Sequence, residues 1–388
     1  MKRVRVHFSV FSTGLGHAKR DAALILGLKR KGALVTATAS GEAALLLRPL
    51  VDLLIPSPVL DVGWGEAGDV SMKKTVRQLP DIAPLFARQV AVEARLVARA
   101  DVVVADSKLS PYPSALALRR PLISLWNQLW LSSPPSAERQ RLSWAEKAFG
   151  ALSLFAIARA DEVLILDYPP PYTISHLNVV NAISLRRAKF VGPILDGLLI
   201  EGSLLERARR ELGLNEGGFV LLLSGGPGPS RRRLTSLYLR AAEALRGRVG
   251  VVVVGAEPAG SQEPRRMPWG WYLEWCPYVE ALMRLSELVV CRGGHHTLSW
   301  CLRLGKPCVV VPISKHSEQI GNARRMQLMG VGKLLHEATL TPGALGEAIL
   351  GALKGPLHER AKEVARRVGN YSGLEPALAR IWAYAHQG

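Results

Sequence analysis

Short apolar runs alternate with longer stretches of mixed polarity along most of the chain. Val4–Phe11 is rich in β-branched and aromatic residues, and the turn Ser12–Gly16 ends it. From His17 to Lys31 apolar positions recur at helical spacing, Gly32 closes the pattern, and Ala33–Ala39 reads as the next strand. The long helical pattern Ile82–Ala100 leads into the strand Asp101–Ala105, and Pro121–Trp126 and Glu162–Leu166 extend the series. Strands this short and this uniformly apolar, spaced by helices, predict a parallel sheet covered on both faces.

The second half repeats that grammar. Phe219–Leu223 is a strand ending in the glycine turn Ser224–Gly228, a helix spans Arg231–Leu245, and Val251–Val254, Glu287–Cys291 and Cys308–Val311 are further strands. Glycine and proline after an apolar run at Val191–Pro193 mark a domain boundary. The expected fold class is α/β: two Rossmann-like parallel-sheet domains, residues 1–193 and 194–370, facing across a cleft. A last helical segment, Glu375–His386 within residues 371–388, is expected to cross back to the first domain.

Composition narrows the class. The 388 residues are 48% hydrophobic and 21% charged, enough for two cores and unlike a disordered chain. Fifty Lys and Arg against 32 Asp and Glu give a formal charge of +18, which favours an anionic partner: a phosphorylated substrate, a nucleic acid or a membrane surface. The basic residues are scattered and form no recognised nucleic-acid module, so nucleic acid is not expected. No stretch reaches the roughly 18 apolar residues of a membrane span. Ala151–Ile165 comes nearest, and Arg159, Asp161 and Glu162 interrupt it. The basic and then apolar start reads as a buried strand, not a signal peptide. Cys276, Cys291, Cys301 and Cys308 fit no zinc spacing, so reduced thiols in a cytoplasmic protein are expected.

Several turns follow strands, at the carboxyl ends where open α/β sheets keep their sites. Gly14, Gly16 and His17 come after the first strand. Lys19 stands at the third glycine position of a dinucleotide fingerprint and no acidic residue closes the second strand, which disfavours NAD. The positive end of a helix favours a neutral imidazole, so His17 suits a general base, or a plain cap. Asp106 could hold such a histidine, or cap a turn with Ser107. Gly225 and Gly226 precede Arg231–Arg233 and could cradle a phosphate, or form a simple turn. Arg292, Gly293, Gly294, His295, His296 and Thr297 end one strand and open a helix, again a phosphate geometry with added donors. Trp275 beside Pro277 offers a flat face for a base, and Glu318 and Gln319 suit sugar hydroxyls. Adjacent histidines on a helix point apart and no carboxylate sits at ligand spacing, so no metal is expected.

At these residues the sequence resembles the GT-B glycosyltransferases. It is similar to the UDP-glycosyltransferases, to the bacterial GlcNAc transferase of peptidoglycan lipid-intermediate synthesis, and most of all to an archaeal UDP-glucuronosyltransferase-like group. The resemblance is specific over Trp275–Ala323 and suggestive over Gly14–His17 and Val102–Gln128. It implies that Trp275 stacks on uracil, that Arg292, Gly294, His295, His296 and Thr297 lie at the diphosphate, and that Glu318 and Gln319 hold the donor sugar. Gly225 and Gly226 fit the donor-side loop. His17 fits the base that deprotonates the acceptor, Asp106 its partner, and Gly14, Gly16 and Asn127 the acceptor side.

The activity implied is inverting, metal-independent and cofactor-free transfer from a nucleotide diphosphate sugar, a UDP-sugar first, to a lipid-linked or soluble acceptor hydroxyl. A UDP-sugar 2-epimerase and a non-catalytic nucleotide-sugar binder share the architecture and stay open. One departure is Trp300, which stands where the related transferases place a ribose-binding glutamate. Ala43–Ile55, Trp126, Trp130, Trp144 and Phe149–Ile157 are candidates for an apolar surface which, with the positive charge, would bring the first domain to an anionic cytoplasmic membrane face.

Overall fold

The computed structural model describes residues 3–12, 15–59, 72–128, 132–179, 188–196, 202–214 and 218–386. Among them two seven-stranded sheets form. The first contains β1 (Arg5–Val10), β2 (Leu34–Ala39), β3 (Leu53–Pro56), β4 (Val102–Asp106), β5 (Leu122–Trp126), β6 (Glu162–Ile165) and β7 (Ala188–Phe190). Its order is β3-β2-β1-β4-β5-β6-β7, and every pairing is parallel. The second contains β8 (Phe219–Leu223), β9 (Gly250–Val254), β10 (Arg265–Met267), β11 (Gly270–Leu273), β12 (Leu288–Cys291), β13 (Cys308–Val310) and β14 (Gly332–Leu334). Its order is β10-β11-β9-β8-β12-β13-β14, with only β10 antiparallel.

The inner strands are mostly apolar because both faces are covered, although His7, Ser9 and Ser124 are buried among them. Along β4, Val102 and Val104 enter one core layer while Val103 and Ala105 enter the opposite one. Along β8, Phe219, Leu221 and Leu223 face one layer, and Val220 and Leu222 the other. The strands that hydrophobic patterning did not reveal are β3, β7, β10, β11 and β14. They span three or four residues each, too few for a period to show.

Strand order reverses direction between β1 and β4 in the first sheet and between β8 and β12 in the second. Those are the positions where crevices open at the carboxyl ends of parallel strands. The turns after β1, β4, β8 and β12 are the ones that carry the candidate chemistry. The sheets are joined so that these ends face each other. Gln140 Nε2 donates to the Gly321 carbonyl at 3.0 Å, and Tyr168 Oη donates to the Ser299 carbonyl at 3.1 Å. Tyr168 and Ile174 are buried in the second sheet's core although they precede β7.

The last helix, Leu374–Ala385, returns to the first domain and buries Ala377, Leu378 and Ile381 in its core. Gly27, on the helix Leu15–Arg30, makes room for it, since a Cβ there would stand 2.6 Å from Leu378 Cδ1. The two crossings of the chain between domains run side by side. Gly373 N donates to the Pro193 carbonyl at 3.0 Å, and a Cβ on Gly373 would fall 2.1 Å from the Gly192 carbonyl oxygen.

Candidate active site

A cavity of about 920 Å³ lies between the facing sheets. Gly16, His17 and Asn127 line it from the first domain. Gly225, Gly226, Trp275, Arg292, Gly294, His295, His296, Thr297, Glu318 and Gln319 line it from the second. Asp106 and Gly293 are not among its lining residues, and Gly14 lies outside the described residues. A set of side chains scattered over three hundred positions is thus gathered around one space.

On the first-domain side, β1 delivers the helix Leu15–Arg30, whose first turn carries His17. The parallel register places Val10 beside Asp106, so the end of β4 comes level with the start of that helix. His17 Nδ1 lies 3.2 Å from both Asp106 carboxylate oxygens. Asp106 is fully buried. Burial by itself would push its carboxyl up, but the charges of Arg20 and His17 and their hydrogen bonds outweigh it and hold the group below the ordinary carboxylate range. Arg20 is the residue that sequence reasoning missed. It is buried, grips Asp106 through Nε at 2.8 Å and through Nη2, and donates from Nη1 to Asn127 Oδ1 at 2.7 Å. Its signal was available: three positions after His17 is the same face of a helix. Behind this group sits Asp21, also buried, with no hydrogen-bond partner among the described residues. Burial, and next the charge of Asp106, raise its carboxyl well above the ordinary range.

On the second-domain side, β12 delivers the helix His295–Leu304, whose first turn holds no acidic residue. Its exposed backbone N–H groups and positive dipole end face the cavity. Gly293 is required by packing: a Cβ there would stand 2.2 Å from the Gln319 carbonyl oxygen. Gly226 adopts φ +95, a conformation that favours glycine, and lets the loop after β8 bend beside this helix start. His296 is kept neutral by burial first, then by the nearby Lys19, His295 and Arg20. His295 Nε2 lies 3.2 Å from Asp167. Trp275 is half-buried at the rim of the lining.

Arg292 differs from the expectation that its guanidinium adds donors to a bound phosphate. It is buried and turned into the domain, where it pairs with Glu337 at 2.9 Å and donates to Ser230 Oγ at 2.8 Å and the Val311 carbonyl at 3.0 Å. Its donors are spent on ordering the loops around the helix start. Arg231 is likewise occupied, by Glu42 at 2.9 Å and Glu257 at 2.8 Å. Gln319 uses Oε1 to accept from Ile313 N at 3.0 Å, which leaves its amide N–H groups for the cavity. Glu318 Oε1 lies 3.5 Å from Asn127 Nδ2, directly across the cleft. Trp300 is buried at 1% exposure in the second core, and its indole N–H has no partner among the described residues.

Lys19 pairs with Glu280 at 2.5 Å and Arg231 with Glu42 across the cleft. Gly16 and His296 meet there too, since a Cβ on Gly16 would be 3.6 Å from His296 Cβ. The expected apolar surface is only partly a surface. Trp126, Ala43, Ala44 and Leu47 belong to the core, because the strands and helices they lie on pack inward. Trp144 and Phe155, on the helix Trp144–Ile157, are exposed at 83% and 67%, and Arg159 stacks on Phe155. Trp130 lies outside the described residues. Among the described residues no helix is long and apolar enough to cross a membrane, and no cluster of His, Cys, Asp and Glu is arranged to hold a metal. The four cysteines are buried and unpaired.

Residues 259–373 match the glycosyltransferase family 28 C-terminal domain. An uncharacterized glycosyltransferase of Methanopyrus kandleri is 27% identical over 75% of this chain and 80% of its own length. A UDP-N-acetylglucosamine--N-acetylmuramyl-(pentapeptide) pyrophosphoryl-undecaprenol N-acetylglucosamine transferase of Desulforudis audaxviator is 27% identical over 50% of this chain and 57% of its own. Among solved structures, the calicheamicin glycosyltransferase CalG4 superposes with a TM-score of 0.67 at 15% identity, covering 100% of this chain and 99% of that one. The fold is therefore GT-B, two parallel-sheet domains with the site between them. With the matched domain and the relatives, this makes the chain a glycosyltransferase of the GT-B type.

Proposed function

We propose that the protein moves a sugar, with inversion, from a nucleoside diphosphate sugar to an acceptor hydroxyl, and that UDP is the nucleotide. The observation that carries this reading is the placement of His17, backed by the buried Asp106, opposite the start of the helix His295–Leu304, across one cavity. His17 takes the acceptor's proton as the oxygen attacks the anomeric carbon, and Asp106 stabilises the imidazolium that forms. The diphosphate leaves toward the helix start, where backbone N–H groups and the dipole receive its charge without a divalent ion or cofactor. Trp275 stacks on the base, and Glu318 and Gln319 hold sugar hydroxyls. A ribose glutamate is not part of this design, since Trp300 occupies that place.

The acceptor we infer is lipid-linked and reached at an anionic membrane face. Exposed Trp144 and Phe155 beside Arg159, and the charge of +18, support a peripheral contact of that kind. The acceptor named for the Desulforudis relative, a pyrophosphoryl-undecaprenol, is of the same class.

The test is thermal stabilisation by UDP, GDP and ADP side by side without added metal, followed by turnover of the matching sugar donors. Stabilisation by UDP and loss of turnover in His17→Ala, with UDP binding kept, support the reading. Epimerised sugar released from donor alone identifies a 2-epimerase. No binding of any nucleotide leaves a non-catalytic member of the fold.

A further inference from the structure

Arg20 does more than neutralise a buried acid. It contacts the base, its partner carboxylate and the amide opposite the donor end of the cleft. Nε and Nη2 form a fork on Asp106, Nη2 is 2.8 Å from His17 Nδ1 and 3.3 Å from Ser107 Oγ, and Nη1 donates to Asn127 Oδ1. A guanidinium has five donors in a fixed plane, so these contacts set one carboxylate orientation and one amide orientation together. With its oxygen taken by Arg20, Asn127 must turn its N–H groups toward Glu318.

We propose that Arg20 is a positioning residue for the base: it aims Asp106 at His17 and offsets the carboxylate's charge beside the imidazole. The proposal rests on the reading of His17 as the general base. An unbalanced buried carboxylate 3.2 Å from a histidine would favour the imidazolium and disable the base at working pH. A fixed cation in contact with both the carboxylate and the imidazole removes that bias. The other charged groups near His17 are accounted for. Lys19 on the same helix is paired with Glu280, with His296 Nε2 3.9 Å from that carboxylate. Glu318 approaches through Asn127, and Asp21 sits buried behind Asp106. Phe11 presents its ring to His17 with centroids 5.2 Å apart and carries no charge.

The experiment compares wild type with Arg20→Gln and Arg20→Lys in the full-length protein. The readout is ¹⁵N titration of the His17 ring, assigned with a His17→Gln variant, in proteins whose amide spectra show a native fold. In Arg20→Gln the midpoint moves up by about one pH unit or more. In Arg20→Lys, which keeps the charge but loses the fork, it moves up by less. Where turnover is measurable, the acid limb of kcat/KM moves with the ring, and kcat falls at least tenfold in the glutamine variant. Unchanged midpoints overturn the proposal, and the lysine variant decides alone if the glutamine variant does not fold. The ring titration uses no substrate, so a protein that turns over no nucleotide sugar sinks the transferase reading without deciding this one.

Discussion

Two strand–turn–helix junctions face each other across the cleft, and they are built on opposite principles. After β1, the helix Leu15–Arg30 opens with a dense set of buried charges: Arg20 and Asp21 on the helix and Asp106 beside it. After β12, the helix His295–Leu304 opens with two histidines and a threonine and with no acidic residue in its first turn. The first junction pairs its charges internally, with Arg20 and Asp106 in contact with each other and with one imidazole. The second keeps its dipole end uncommitted, and moves its one strong cation, Arg292, into a supporting role against Glu337. A proton-transfer group needs a tuned, rigid setting, whereas an anion site needs backbone donors left free.

The largest effect should come from the charged junction. His17→Ala is expected to lower turnover by about 10²–10⁴-fold while nucleotide binding is unchanged. Steady-state transfer rates and calorimetric titration with UDP separate the two quantities. A loss of binding equal to the loss of rate would break the division of labour between the junctions.

On the opposite side, Trp275→Ala removes a stacking face worth about 1–3 kcal/mol per base. UDP affinity should weaken by roughly 5–150-fold, with kcat at saturation little changed. Calorimetry with UDP and with inorganic diphosphate sharpens the point, because diphosphate affinity should not respond. Gly293→Ala tests the packing under the free helix start. The added Cβ meets the Gln319 carbonyl oxygen at 2.2 Å, so the helix Ser317–Leu328 must shift, at a cost of about 1–3 kcal/mol. Denaturant unfolding reads that loss, and UDP binding should fall with it.

The smallest effect concerns the cost of concentrating charge at the first junction. Asp21 has its carboxyl raised by burial and by Asp106. A group of that kind binds its proton more tightly when folded. Stability therefore falls as pH rises from the ordinary carboxylate range through the elevated value of Asp21. Asp21→Asn should flatten this dependence and melt a few degrees higher than wild type at pH 8, with no gain at pH 4. Asp106 has the opposite sign: its carboxyl is depressed, so its contribution is present above the ordinary range and is lost in acid. Melting curves across pH for wild type and Asp21→Asn check both directions.

Much of this was readable in the chain itself. Mostly apolar strands spaced by amphipathic helices announced two parallel sheets, because full burial on both faces favours apolar residues at successive positions. The glycine turns after β1, β8 and β12 marked the carboxyl ends, and His17 and Asp106 could be named as partners. Short edge strands such as β10 and β14 were not readable, since three residues cannot display a period. Nor was the inward turn of Trp126, which looked like surface and lies in the core.

What the sequence determined alone was therefore the local grammar: which segments are strands, which helices begin at glycine turns, and which residue types carry acid–base or anion-binding chemistry. Those follow from periodicity and backbone sterics, which act over a few residues. The tertiary structure decided how the chemistry is shared out. It set Arg20 against Asp106 and His17 and turned the Arg292 guanidinium onto Glu337. It also set Glu318 against Asn127 from the other domain. These outcomes depend on strand order and on two domains meeting face to face. A charged side chain's role is set by its nearest partner in space, and that partner is 86 positions away for Arg20, 45 for Arg292 and 191 for Glu318.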